Sequence, residues 1–210
     1  YGLTKGQTSP TSEFGKRTKS TPMGSVDRPI MPLTIALAAE ATFVARAIDT
    51  EVQHLQEMIS RMAVHKGSAF LEIYQNCSVF NDGAFDELKD RKSKADHLLV
   101  LEHGKPLVFG KSGDACVKLD TARMRLYVGK LGEKDGGVEV VHDESNPDPA
   151  LAMLLARCRP PEFPTPIGVL RAVSAPTFED QSLAQKNAEL AARGEGSLEQ
   201  LLYSGDRWDV

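Results

Sequence analysis

Apolar positions along this chain follow two different periods, and the switches between them mark its elements. Residues 33–41 are rich in Ala and Leu, and Pro32 stands where a helix begins. Residues 43–47 read as a short buried strand. Asp49 or Thr50 then stands where a helix cap belongs. Val52, Leu55, Ile59, Met62 and Ala63 fall on one stripe of the helix that follows, and Gly67 stops it. Residues 69–74 read as a second strand. Strand, helix and strand within 32 residues make a βαβ unit, so the spacing predicts a parallel sheet. Ligands of such sheets bind beyond the carboxyl ends of the strands, where Gln75, Asn76 and Cys77 stand.

Beyond residue 90 the pattern changes. Residues 98–101, 106–109, 116–119 and 138–142 are short strand-like runs separated by Gly and Lys/Asp turns. Residues 146–149 start a helix that runs to about Arg157, and 159–166 form a Pro-rich break. Residues 182–193 make a helix ended by Gly194, and 197–203 a last short one.

Residues 1–32 have neither period. Eight Gly and Pro residues interrupt them, and they carry five basic against two acidic side chains. A loop of that length is long for a compact domain and favours a functional role over a plain linker. The whole chain has 210 residues with 41% hydrophobic and 26% charged, the balance of a folded protein. Its net charge of -4 argues against general nucleic-acid binding. No apolar run is long enough to cross a bilayer. The first residue is Tyr1 and no signal peptide is visible, so the chain reads as a fragment. Cys77, Cys116 and Cys158 lie 39 and 42 residues apart, which fits no zinc pattern. Three cysteines without a secretion signal point to a reducing, cytoplasmic setting. The five histidines show no i,i+4 metal spacing and read as surface residues.

The chemistry concentrates at the start. In Tyr1-Gly2-Leu3-Thr4-Lys5-Gly6-Gln7, two glycines allow close backbone approach to a ligand, Thr4 offers a hydroxyl, and Lys5 is a point charge suited to phosphate or carboxylate. By residue type alone this is an anion-binding loop or a tight turn.

That heptapeptide resembles the thiamine-diphosphate loop of the β subunit of 2-oxoacid:ferredoxin oxidoreductases, most closely the 2-oxoglutarate type. Ser9-Pro10-Thr11-Ser12, the stretch from Lys19 to Gly24, Ala45-Arg46-Ala47, the run from Glu72 to Cys77, and Phe80-Asn81-Asp82-Gly83 are similar to the same family. The resemblance is strong over 1–110 and weaker over 111–210. It implies an α/β fold: the later half of a thiamine-diphosphate-binding domain with a parallel sheet (1–110), plus a C-terminal α+β tail (111–210) that packs on the subunit or its partner.

The resemblance further implies that Gly2, Leu3 and Thr4 bind or support the cofactor. Lys5 would hold an anion, either coenzyme A or the distal carboxylate of the oxoacid, and would be the catalytic residue of this loop. Cys77 would be one thiolate of a 4Fe–4S cluster, with Cys116 and Cys158 structural. The implied activity is oxidative decarboxylation of 2-oxoglutarate with coenzyme A to succinyl-CoA, with electrons passing to ferredoxin and an α subunit as partner. A sister enzyme for pyruvate or another 2-oxoacid, and a non-catalytic assembly module, are the alternatives. The family's other cluster cysteines and its Mg²⁺ ligands lie upstream of this loop. The chain is therefore expected to be the C-terminal part of the subunit, binding neither thiamine diphosphate with Mg²⁺ nor the cluster tightly by itself.

Overall fold

The computed structural model describes residues 5–206 and 208. Helix α1 (Pro32–Ala38) opens on its proline and buries Leu33 and Leu37. It leads into β1 (Phe43–Ile48), whose six residues are all buried. Alternation divides that strand between two faces. Phe43, Ala45 and Ala47 pack with Met58, Leu55 and Met62 of α2 (Val52–Val64), while Val44 joins Leu33 and Leu37 on the other side. Strand β2 (Ala69–Tyr74) then pairs with β1 in parallel, from Phe43 opposite Ala69 to Ile48 opposite Tyr74, as the βαβ spacing predicts.

Gly67 makes the turn between α2 and β2. Its φ is +125°, and a Cβ there would overlap Thr42 Oγ1. The helix start is a correction. Neither Asp49 nor Thr50 caps α2: the position belongs to Glu51, without a side-chain cap bond. Asp49 instead accepts from the Asn76 backbone N–H at 3.4 Å, so its carboxylate is directed to the loop after β2.

Two short helices, α3 (Asp86–Lys89) and α4 (Lys94–His97), precede β3 (Leu98–Val100). A second sheet follows from β4 (Val108–Phe109), β5 (Ala115–Asp120), β6 (Arg125–Lys130) and β7 (Val138–Glu139), all antiparallel, with β5 between its neighbours. Lys118 of β5 is fully buried, and its Nζ donates to Glu133 O at 2.6 Å and Asp135 Oδ1 at 3.2 Å. Helix α5 (Ala150–Ala156) leads to β8 (Thr165–Ala172).

Strand β8 is the main departure from the sequence pattern, which places a break over 159–166. It lies inside the first sheet, in the order β2-β1-β8-β3, antiparallel to β1 and parallel to β3. The sheet is thereby mixed. Pro166 is tolerated because each flank of β8 is paired over only part of its length. Residues 165–167 pair with β3, and pairing with β1 begins at Gly168, so the missing N–H of Pro166 interrupts no ladder on the β1 side. Gly168 has φ +112°, and a Cβ there would meet Leu101 O at 2.9 Å. The chief core cluster joins the sheets through Leu99, Leu107, Val117, Leu155 and Leu170.

His142 is also a correction to the surface reading of the histidines. It is 1% exposed, with Nε2 donating to Val169 O at 2.7 Å. The chain divides into two compact units at Ser174/Ala175. The second contains α6 (Phe178–Arg193), capped by Thr177, and α7 (Leu198–Leu202), closed by a capping box between Ser197 and Gln200. The cap sets the start of α6 four residues before the predicted Ser182. No described helix is long and apolar enough to cross a membrane.

Candidate functional site

A cleft of about 630 Å³ opens beside the carboxyl ends of β1 and β2. Its walls come from three parts of the first unit: the segment carrying Thr11 and Glu13, the loop carrying Cys77 and Asn81, and the turn carrying Arg157, Cys158 and Arg159. The parallel pair fixes the location, since both strands end there.

Arg46 sets the floor. Its position in the buried strand β1 leaves the side chain 6% exposed, and Nε donates to Glu72 Oε2 at 2.7 Å. Nη1 donates to Pro166 O at 3.3 Å. The guanidinium stands 4.9 Å from the centroid of the Tyr74 ring, and Tyr74 stacks in turn on Phe85 at 4.7 Å. Burial pushes the Tyr74 hydroxyl up from its ordinary range. Sequence reasoning assigned Arg46 no role. The available signal was a charge within an apolar strand, which must find partners when buried.

Cys77 lies three residues beyond β2 and is half-buried. Its loop is closed by Asn76, which donates from Nδ2 to Asp82 Oδ1 at 2.7 Å and accepts from Gly83 N at 3.1 Å. Asn81 N donates back to Cys77 O at 2.9 Å. The backbone N–H groups of Phe80 and Val79, with that of Asn81 behind them, hold the Cys77 thiol below its ordinary value. Amide donors around a sulfur favour the thiolate, which is the form that ligates iron. This donor set fits one ligand of an iron–sulfur cluster. Among the described residues no group of three or more His, Cys, Asp or Glu could hold a metal ion, so further ligands would have to come from elsewhere.

Cys158 borders the same cleft but differs in kind. It is 3% exposed, and burial pushes its thiol up to about 12. Cys116 is buried too and its thiol is likewise raised by burial. Both are structural, as residue type suggests.

Gly2, Leu3 and Thr4 lie outside the described residues. Lys5 is exposed and adopts φ +64°, and Gly6 follows at +66°. Two consecutive left-handed residues reverse the chain sharply, a conformation Lys adopts only under local constraint. A Cβ at Gly6 would lie 3.4 Å from the Phe80 ring. Lys16 Nζ also donates to Asn81 Oδ1. The structure therefore brings the opening loop and the Cys77 loop together at one end of the sheet.

Comparison with known proteins agrees with this geometry. A family model described as the C-terminal TPP binding domain of thiamine pyrophosphate enzymes matches residues 1–73. The 2-oxoglutarate oxidoreductase subunit KorB of Mycobacterium tuberculosis is 43% identical over 100% of this chain and 56% of its own length. The 2-oxoacid:ferredoxin oxidoreductase subunit beta of Saccharolobus solfataricus is 41% identical over 44% of this chain and 30% of its own. The chain is similar to the β subunits of 2-oxoacid:ferredoxin oxidoreductases. It spans about half the length of the M. tuberculosis relative.

A solved 2-oxoglutarate:ferredoxin oxidoreductase from Magnetococcus marinus, with 2-oxoglutarate, coenzyme A and succinyl-CoA bound, has the same fold. Its TM-score is 0.63 with 26% identity over 99% of this chain and 55% of that one. The fold is that of the later half of a thiamine-diphosphate-binding domain with a C-terminal extension. Helix α1, β1, α2 and all but the last residue of β2 lie in the part that the family model matches, and α3 through α7 follow it.

Proposed function

We propose that this chain is part of the β subunit of a 2-oxoglutarate:ferredoxin oxidoreductase, converting 2-oxoglutarate and coenzyme A to succinyl-CoA, carbon dioxide and reduced ferredoxin. The similarity to the M. tuberculosis subunit along the whole of this chain carries this reading. The substrate and product held by the M. marinus enzyme support it. Relatives named only for 2-oxoacids keep pyruvate or another 2-oxoacid as a second reading.

Thiamine diphosphate, held with Mg²⁺, would supply the electron-sink chemistry of decarboxylation. Gly2 and Leu3 would contact that cofactor and Thr4 support their loop. Lys5 would set a positive charge toward the distal carboxylate of the oxoacid or toward coenzyme A. Cys77 would anchor one corner of a 4Fe–4S cluster, and the amides around its sulfur would favour the bound thiolate. Arg46, locked by Glu72 and Tyr74, would keep the strand ends in place behind these groups. The remaining metal ligands would come from the preceding part of the subunit, so the 210 residues alone are expected to bind neither cofactor tightly. An α subunit would complete the enzyme, which would work in the cytoplasm. The division into a cofactor part over 1–110 and an extension over 111–210 belongs to the same proposal. Its support is that the family model for the TPP binding domain matches residues 1–73, inside the first part.

The test is to co-express the whole β subunit with its α subunit and measure viologen reduction. Turnover dependent on both 2-oxoglutarate and coenzyme A, with succinyl-CoA as product, is expected. Turnover with pyruvate but not 2-oxoglutarate would favour the second reading. No turnover with any 2-oxoacid, despite a loaded cluster, would overturn both.

A further inference from the structure

Residues 10–30 form an irregular looped arm whose outgoing and returning halves are tied by backbone hydrogen bonds. Gly15 N donates to Ser25 O at 2.9 Å and Ser25 N to Lys16 O at 3.0 Å, while Thr18 and Thr21 exchange backbone bonds at 3.3 and 3.2 Å. Ser25 Oγ donates to Glu13 O at 3.0 Å, and Ile30 N closes the base on Pro10 O at 2.9 Å. At Gly24 a Cβ would lie 2.8 Å from Gly15 O, so the two halves of the arm pack too closely there for a side chain. This is a built element, unlike a solvated linker.

Its outward side chains are of two kinds. Met23 is 94% exposed, Val26 82% and Phe14 66%. Among them stand Arg17, Lys19 and Arg28, all exposed and without an ion-pair partner among the described residues. Residues 13–28 carry four basic and two acidic groups in a chain of net charge -4. Exposed Met, Phe and Arg within a polar frame is the composition of an interface centre. The arm's position is equally informative, since Lys16, midway along it and paired with Ser25, donates to Asn81 in the Cys77 loop. A protein seated on the arm would lie next to Cys77.

We propose that this arm is the docking surface for an acidic electron-carrier protein. The inference rests on the functional reading above, which gives Cys77 an iron–sulfur cluster. Two requirements of electron transfer then meet here: proximity to that cluster, and a positive field that steers an acidic carrier into a short-lived encounter. The apolar tips of Met23, Val26 and Phe14 would supply the desolvated centre.

The test uses the assembled enzyme with an acidic ferredoxin, and methyl viologen as a small acceptor. The triple variant R17E/K19E/R28E should raise the KM for ferredoxin about tenfold and flatten its salt dependence, with viologen turnover unchanged. Met23→Glu should raise the ferredoxin KM with the salt dependence retained. Unchanged ferredoxin KM in both variants would overturn the proposal. Loss of the α subunit or of the oligomer from either variant would also overturn it, by making the arm a subunit interface. If the unaltered enzyme reduces neither acceptor with any 2-oxoacid, the functional reading fails and takes the proposal with it. Viologen turnover with an unaffected ferredoxin KM sinks docking alone.

Discussion

Arg46 and Glu72 face each other across the β1–β2 ladder, Nε to Oε2 at 2.7 Å, with both side chains largely buried. The pair ties the two parallel strands at the end where the cleft opens. Removing one partner strands the other charge away from water. Glu72→Ala is expected to destabilise the fold by about 3 kcal/mol, read as a lower urea midpoint at unchanged slope. By contrast Arg123→Ala, which breaks an exposed pair with Asp120, should cost less than about 1 kcal/mol.

Gly67 should not accept a side chain. Its φ of +125° is left-handed territory, and Thr42 Oγ1 occupies the space a Cβ needs. Thr42 Oγ1 in turn bonds His65 Nε2 at 2.8 Å, so it cannot simply turn away. Gly67→Ala is expected to cost about 2 kcal/mol and to lower the melting temperature by several degrees.

Acid should weaken the fold through its buried histidines. Burial holds His142 below its ordinary value near 6.5, and Nδ1 has no hydrogen-bond partner to receive a proton gained there. His54 and His65 are lowered by burial as well. The unfolded chain therefore binds protons that the folded chain refuses. Stability from these groups is complete above pH 6.5 and falls as pH drops below it. A urea series from pH 7.5 to 5 should show the midpoint falling only in the lower half, and His142→Gln should reduce the slope. A flat profile would contradict the burial argument.

The three thiols should separate by reactivity. In the iron-free chain, iodoacetamide should label Cys77 within minutes at pH 8, while Cys116 and Cys158 stay unlabelled until denaturant is added. Mass spectrometry of the digest reads the sites. Cys77 is half-buried with amide donors around its sulfur, whereas Cys158 is enclosed and raised to about 12.

Lys5 is testable in the assembled enzyme. Lys5→Ala should raise the KM for either the 2-oxoacid or coenzyme A about tenfold, with little change in melting temperature, since the side chain is exposed. Which of the two KM values moves assigns the anion. If neither moves, Lys5 has no binding role.

Local pattern determined a good deal here. The 3.6-residue stripe from Val52 to Met62 and the buried runs on either side were enough to specify β1, α2, β2 and their parallel pairing. The short Tyr1–Gln7 and Glu72–Cys77 blocks carried the resemblance to the 2-oxoacid:ferredoxin oxidoreductases. Tertiary structure decided what depends on distant partners. Strand β8 was not legible: the Pro-rich break over 159–166 takes in its first two residues and nothing was read over 167–172, whereas β3 and β1 each pair with one half of it. His142 resembled any turn histidine until Val169 O and the core enclosed it. Arg46, an ordinary charge in the sequence, became the floor of the cleft only when Glu72, Tyr74 and Pro166 converged on it from 26 to 120 residues away. Periodicity encodes which face of an element is apolar, but a buried polar group is satisfied only by whatever the fold brings within hydrogen-bond range.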